Sequence, residues 1–507
     1  MTVTKCEAGP VPAAEDHQSG RRTRIDGRTI IAFDGANHRE LTDGVIVLED
    51  DRIIHVGRRY DGPVDAVIDA RDKLVIPGQI STHAHIGAQE GSRLLVDGGR
   101  REFVRSGFLH FLPRARDGRP GILSRQDLRA SLRFGFLSLL KHGVTTVAAF
   151  APEGADEGRT MLEVAAESGI RLFWAPAATG GHYFLESDGR VTAEIDDGYG
   201  IELLDRAGDF IERHHGTANG RISGFLVLDE YYLSTPKVRQ HAKALADRLD
   251  VRLSMHFVEQ HREFFETVAA TGRTPAEVLA DEGVLGENLL LAHAIYLAQH
   301  SKVAYPIADD VEILGAHGVA VAHSPLAFSR RGTVLESFDR YRAAGIVVSL
   351  GTDTYPLDMF AEMRAAATGC KFAEGHFEAG RAEDVFAASN IGGATALGRS
   401  DLGRIASGAK ADLVILDINN TAFGHNPDPV RALVHLASPA MVDTVIVDGR
   451  TLVEGGRALG FDEAAVLREA ATSTDAVWDA YAGYDWDGKA ARERFPPALR
   501  PWQDPGA

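Results

Sequence analysis

The residues best placed for chemistry lie in Val75-Ile-Pro-Gly-Gln-Ile-Ser-Thr-His83-Ala-His85. Side chains alternate along a strand, so His83 and His85 share one face. Two neutral imidazoles at ~6–7 Å spacing can grip one borderline divalent metal such as zinc. An isolated pair of this kind is weak evidence. Four more apolar runs, however, end in a potential ligand: Val251-Arg-Leu-Ser-Met-His256, Leu289-Leu-Leu-Ala-His293, Val319-Ala-Val-Ala-His323 and Val347-Val-Ser-Leu-Gly-Thr-Asp353. Polar groups at the ends of buried strands are costly unless paired or metal-bound. Five histidines and one aspartate at the same ends of five strands therefore predict one shared, metal-centred site.

The elements that must carry these residues follow from hydrophobic rhythm. Apolar runs at Leu74–Ile76 (leading to Ile86), Val144–Phe150, Ile170–Ala175, Gly224–Leu228, Val251–Phe257, Leu289–Ala292, Val319–Ala322 and Ile346–Leu350 alternate with amphipathic helical patterns. Those patterns include Leu128–Lys141, Lys237–Leu249, Arg262–Thr271 and Ser337–Ala344. Eight strands alternating with helices predict an α/β fold, a (β/α)8 TIM barrel, whose sites lie at the C-terminal strand ends. A doubly wound sheet would call for a glycine-rich phosphate loop after the first strand, and none occurs there. Short alternating strands precede the barrel (Thr29–Phe33, Gly44–Glu49, Arg52–Val56, Ala66–Asp69) and return after it (Ala411–Leu416, Thr444–Val447, Thr451–Val453). The barrel is therefore expected to be inserted in a small β-sandwich domain formed by both chain ends. The expected boundaries are a flexible tail at 1–22, the sandwich at 23–74 and 404–460, the barrel at 75–403, and a C-terminal helical extension at 461–507. Trp478, Tyr481, Tyr484 and Trp486 of the extension are expected to pack on the body or on a partner subunit.

Composition removes several function classes. The chain has 507 residues, 54 Lys+Arg against 72 Asp+Glu, and a net charge of −18. Such an acidic chain is a poor binder of nucleic acid or anionic membrane. No run of ~18 apolar residues predicts a membrane helix. Cys6 and Cys370 do not suggest a disulfide framework, and Met1–Arg22 lacks the apolar segment of a secretory signal. A cytoplasmic protein acting on a small molecule, as a homo-oligomer, is expected.

Together these motifs resemble the amidohydrolase superfamily. The likeness is to its metal-dependent cytosine deaminase and triazine hydrolase branch, and to phenylurea and molinate (thiocarbamate) hydrolases. It covers residues 27–460 and includes His256-x-x-Glu259, His323-x-Pro325, Gly351-Thr-Asp353 and Gly403-x-Ile405-x-x-Gly408-x-x-Ala411-Asp412-Leu413. The resemblance implies that His83, His85, His256 and Asp353 hold the metal, with Asp353 also accepting a proton from the attacking water. It implies that Glu259 protonates the leaving group, and that His293 hydrogen-bonds the water or the substrate oxygen. His323 would orient Asp353 or the substrate. Binuclear members carry a carboxylated lysine on the fourth strand. Here that strand reads Gly224-Phe-Leu-Val-Leu-Asp229-Glu230, so one divalent metal per chain is expected. Zinc is the first choice, with iron, cobalt or manganese as alternatives. Asp229 and Glu230 are candidates to line the site.

The pattern departs from its relatives after His323. Many carry Asn-Pro-x-Ser-Asn there, whereas this chain has Ser324-Pro325-Leu326-Ala327-Phe328. Phe328 is thus expected to form an apolar pocket wall, and Gly180-Gly-His182-Tyr183-Phe184 a second wall. The segment Gly87–Pro120, with Phe103, Phe108, Phe111, Arg93, Arg100, Arg101 and Arg105, is either a further pocket-shaping loop or, for its Arg cluster, a solvated helix face, the latter slightly favoured. An apolar wall argues against a strongly polar base. The first expectation is therefore hydrolysis of a C–N bond in a semi-apolar amide, urea or carbamate by a metal-activated water. The alternative is an aminohydrolase (deaminase) releasing ammonia from a heterocycle or guanidine-like group. A rival of another class is a non-catalytic assembly protein that keeps the fold.

Overall fold

Seven of the eight apolar runs, and the segment that follows the first, become eight parallel strands that close on themselves. The computed structural model describes residues 20–88, 90, 114–116, 121–150, 155–424, 426–485, 488–500 and 502. The N-terminal tail to residue 19 with Cys6, most of the 87–120 segment with its named Phe and Arg residues, and Trp486 lie outside the described residues. The barrel strands are β1 (Gln79–His85), β2 (Val144–Phe150), β3 (Arg171–Phe173), β4 (Leu226–Glu230), β5 (Leu253–Phe257), β6 (Leu289–His293), β7 (Ala320–His323) and β8 (Val347–Leu350). β1, β2 and β3 pair in parallel, as do β4 through β8. The bridges Ala178↔Leu228 and Ala84↔Asp353 close the two gaps.

Side chains pointing inward from the lower strands are apolar: Ile80, Ala148, Phe173, Val227, Leu290, Ala320 and Ala322, joined by Ala394, Leu397 and Leu402. Each large one contributes ~1.5–3 kcal/mol on burial. The floor of the barrel is thus dry and packed, and the polar residues gather at its C-terminal mouth.

The first apolar run divides differently from expectation. Ala66–Pro77 is one strand of the small β unit and pairs with Leu413–Leu416, with Leu413 opposite Pro77. The sheet thus extends past the expected boundary at 74, and the chain turns into the barrel at Gly78. A Cβ on Gly78 would stand 2.1 Å from Thr145 Oγ1, so only glycine permits this approach. The small β unit is hydrogen-bonded as one eight-stranded sheet, to which segments before and after the barrel contribute four strands each. They share a core that includes Ile25, Ile46, Val75, Leu413, Ile415 and Ile446. The re-entry motif works through its backbone: Phe33 N–H donates to Ile405 O (2.9 Å) and Ala411 N–H to Asp51 O (2.9 Å).

The C-terminal extension forms a helix over Glu463–Asp479, longer than its sequence pattern suggests. Its aromatics pack on the body. Trp478 Nε1–H donates to Glu90 O (3.2 Å), Tyr484 bonds Ser124 (2.7 Å), and Tyr481 packs with Ile122 and Phe495. Among the described residues no helix is long and apolar enough to cross a membrane. Cys370 is buried and free.

Barrel and sheet are joined by a buried ionic knot. The Arg171 guanidinium, fully buried, donates to Asp412 (3.0 and 3.1 Å) and to Asp448 (3.0 Å). Lys410 adds a bond to Asp448 (3.0 Å). Removing one partner of a buried pair leaves an uncompensated charge and costs ~3–5 kcal/mol. Arg171→Leu is therefore expected to lower unfolding stability by about that amount, read from the denaturant midpoint at unchanged slope. An unchanged midpoint would show that the knot contributes nothing net.

Candidate metal centre

The seam between β1 and β8 builds the site. Asp353 N–H donates to His83 O (2.9 Å), and His85 N–H donates to Asp353 O (2.7 Å). Buried hydroxyls fix this register: Ser81 Oγ meets Thr352 Oγ1 (3.0 Å), and Thr82 Oγ1 meets Ser349 Oγ (2.8 Å). Gly351 is required, because a Cβ there would lie 2.8 Å from His83 Cβ and 2.9 Å from His83 O. The Asp353 carboxylate is thereby delivered beside both imidazoles. Asp353 Oδ1 lies 3.7 Å from His83 Nε2 and 3.5 Å from His85 Nε2.

β5 supplies the third imidazole. His256 Nε2 is 3.1 Å from His85 Nε2, and the two rings stack at 3°. His256 Nδ1–H donates to the backbone oxygen of Asp229 at 2.5 Å, with Asp229 Oδ1 at 3.3 Å. With Nδ1 holding the proton, Nε2 presents its lone pair to the cluster. Phe150, at the end of β2, stands edge-on to His83 (4.3 Å between centroids) and His256 (4.7 Å), walling one side of the cluster.

These donors fit a divalent cation. Four ligands at ~2.0–2.1 Å in a tetrahedron stand ~3.3–3.4 Å from one another. The separations of 3.1, 3.5 and 3.7 Å scatter around that edge. His83 is fully buried, and neither ring nitrogen has a hydrogen-bond partner. Such an orphaned imidazole is costly unless a cation completes it. Burial pushes its pKa down, favouring the neutral, ligating form. Burial alone would raise the Asp353 carboxyl, but the nearness of the His83 and His256 imidazoles and the charge of Arg331 outweigh it and hold the group below its ordinary value.

The remaining candidates are distributed around this core. His293 stands 4.8 Å from His83 and 5.4 Å from His256, ring to ring. Its Nε2 lies 3.8 Å from Glu259 Oε2, and both residues are buried. Phe328 packs against His293 at 4.5 Å. His323 is buried at the end of β7, and burial pushes its pKa down to about 3, so it is neutral at ordinary pH. It is not among the residues whose ligand atoms converge. His182 and Tyr183 sit on a hairpin, Gly181–Leu185 with Val191–Ile195, and pack on Tyr199 (5.7 Å) and Tyr232 (6.3 Å) respectively. Ligand atoms converge in three sets: His83, His85 and Asp353; His83, His256 and His293; and Asp229, Glu230 and His256. Sequence reasoning missed Phe150 and the Ser81–Thr352 seam. The signal for Phe150 was its place at a strand end level with the histidines.

The backbone carries strain here. Val258, His293, Ala294 and Asp353 have φ of 41°, 78°, 44° and 49°. Residues in sparsely populated regions cost ~1–3 kcal/mol each and persist where the surroundings over-determine them, commonly at functional sites. For β-branched Val258 the conformation is especially unfavourable.

Comparison with known proteins identifies the family. The model of the amidohydrolase family matches residues 74–452. A 5'-deoxyadenosine deaminase of Methanothermobacter thermautotrophicus is 30% identical over 435 residues, 84% of this chain and 92% of that protein. A 5-methylthioadenosine/S-adenosylhomocysteine deaminase of Desulforudis audaxviator is 29% identical over 436 residues, 84% of this chain and 93% of that protein. Among solved structures, the atrazine chlorohydrolase of Arthrobacter aurescens complexed with zinc has a TM-score of 0.74 at 24% identity, over 90% of this chain and 100% of that one. A likeness of that degree carries the fold. The chain belongs to the amidohydrolase family, as a hydrolase acting on carbon–nitrogen bonds.

Proposed function

We propose that this chain is an aminohydrolase with one divalent metal, zinc by preference, that releases ammonia from an amino-substituted heterocycle of the adenosine-derivative kind. The observation that carries this reading is the likeness to deaminases of adenosine derivatives over 84% of the chain. It favours the alternative over the amide, urea or carbamate reading that the apolar wall suggested. The wall itself is compatible with the change, because an aromatic face such as Phe328 stacks on a flat heterocycle as readily as on an aryl urea.

When bound, a divalent cation held by His83, His85, His256 and Asp353 lowers the pKa of a coordinated water toward ~7. The chain's own residues do the rest. Asp353, held as a carboxylate, takes a proton from the attacking water. His293 donates a hydrogen bond toward the reacting atoms and lies beside Glu259. Glu259 passes a proton to the departing nitrogen, which leaves poorly as an anion. Asp229 keeps His256 in the ligating tautomer through its backbone oxygen. Phe150 covers the side of the cluster formed by His83 and His256.

The test is a turnover screen of the zinc-loaded full-length protein. It offers adenosine, 5'-deoxyadenosine, 5-methylthioadenosine and amino-triazines beside aryl amides, ureas and carbamates, reading ammonia and amine separately. Ammonia from one of the amino-heterocycles is the expected result. Amine release from the amides, ureas or carbamates, with no ammonia from any heterocycle, would return the assignment to the first expectation.

A further inference from the structure

The chain leaves β6 in a conformation that few residues adopt. His293 and Ala294 have φ of 78° and 44° in succession, and neither is glycine. Such a pair persists only where its surroundings hold it. Both backbone polar groups of Ala294 are held. Its N–H donates to Phe257 O (3.0 Å) at the end of β5, and its carbonyl oxygen accepts from the Tyr341 hydroxyl (2.6 Å). Two residues on, Tyr296 N–H donates to Val258 O (3.0 Å). Val258, at φ 41°, is itself strained and precedes Glu259. The exits of β5 and β6, which carry Glu259 and His293, are therefore one hydrogen-bonded unit.

Tyr341 reaches that unit from outside. It lies in the short helix Phe338–Ala343 before β8 and is buried. Its backbone oxygen accepts Ile346 N–H (3.1 Å), which fixes the helix to the entry of β8. Burial pushes the phenol pKa up, so the hydroxyl keeps its proton and stays a donor. Among the described residues no other donor reaches Ala294 O. The far end of the segment is tied separately, Ala298 N–H donating to Oδ2 of the buried Asp310 (2.9 Å). Loss of the Tyr341 hydroxyl thus orphans a buried carbonyl directly after His293 and leaves the rest anchored.

We propose that Tyr341 is a positioning residue, whose hydroxyl holds the strained exit of β6 and thereby fixes the His293 imidazole at the cluster. The proposal rests on the reading of His293 as a hydrogen-bond donor in the aminohydrolase reaction, and it adds the residue that places that donor.

The test compares Tyr341→Phe with Tyr481→Phe in the zinc-loaded full-length protein. Each deletes one buried phenol hydroxyl, that of Tyr481 donating to Asp485 (2.9 Å) in the C-terminal extension. Ammonia release from 5'-deoxyadenosine, zinc content and a crystal structure are obtained for each. Tyr341→Phe is expected to keep its zinc and its KM within about twofold, and to lose about tenfold or more in kcat. Its His293 imidazole is expected to be displaced by about 0.5 Å or more. Tyr481→Phe is expected to keep kcat within about twofold and His293 in place. An imidazole that keeps its place in Tyr341→Phe would overturn the proposal, as would a kcat that is unchanged or that falls equally in both variants. Should Tyr341→Phe not fold, Ala294→Gly and Ala294→Gly/Tyr341→Phe carry the same comparison, since glycine takes a positive φ without strain. The two readings fail separately. A wild type that releases no ammonia counts against the aminohydrolase, and the place of His293 in the crystals then decides this proposal alone. Ammonia release with an unmoved His293 removes only this proposal.

Discussion

Glu259→Gln is expected to keep its metal and bind substrate almost normally, yet turn over about 10²-fold more slowly or worse. The residue lies three positions after His256 and is buried with its Oε2 3.8 Å from His293 Nε2. Glutamine preserves the shape and the hydrogen bonding but has no proton to give. A positioned acid typically contributes ~10²–10⁴-fold. The defect should shrink for substrates whose leaving group needs no proton, such as chloride, an activated phenolate or a thiolate. Single-turnover kinetics on an amine-leaving and a thiol-leaving substrate separate the roles. Equal slowing of both would place Glu259 on the attacking water. No slowing of either would remove it from the chemistry and bring forward Asp229 and Glu230, which sit on the far side of His256.

The second large effect concerns the ligands. His83→Ala, His85→Ala and His256→Ala are expected to lose metal and activity together, because each deletes one of the four expected donors. Asp353→Asn should behave differently. It keeps an oxygen beside His83 and His85 but cannot accept a proton, so activity should fall further than metal content. Metal analysis and turnover on the same preparations make the comparison. Near-normal turnover in Asp353→Asn would make that residue structural and leave the attacking water without its base. A second effect is expected at His256, where losing the bond to Asp229 O should loosen the β4–β5 connection. Asp229→Ala, which leaves the backbone oxygen in place, should spare metal binding.

Much of the site was legible because its chemistry is written at strand ends. An apolar run that stops at His256, His293, His323 or Asp353 declares both the strand and the mouth of the barrel. Seven of the eight barrel strands and the helix Leu128–Lys141 fall where periodicity puts them, the first apolar run being the exception. What sequence could not show is pairing at a distance. Ser81 and Thr352 are separated by 271 positions, and either alone is an ordinary hydroxyl. Phe150 reads as ordinary core until β2 lies beside β1. The hairpin of His182 and Tyr183 had a local signal, the Asp188-Gly189 turn between two alternating runs, but short exposed strands carry little hydrophobic contrast. The domain boundary shifted because Leu74–Ile76 is equally apolar whether it serves the sheet or the barrel, and only the pairing with Leu413–Leu416 decides.

The centre itself is tested most directly by elemental analysis of the full chain purified without chelator, together with a zinc titration of the stripped protein. The donor set of His83, His85, His256 and Asp353, and a fourth strand that ends in Asp229-Glu230 instead of a lysine, predict about one tightly held divalent metal per chain, with activity rising linearly and saturating at one equivalent. Two metals per chain, both needed for activity, or full C–N hydrolysis by protein shown to hold none, would contradict it.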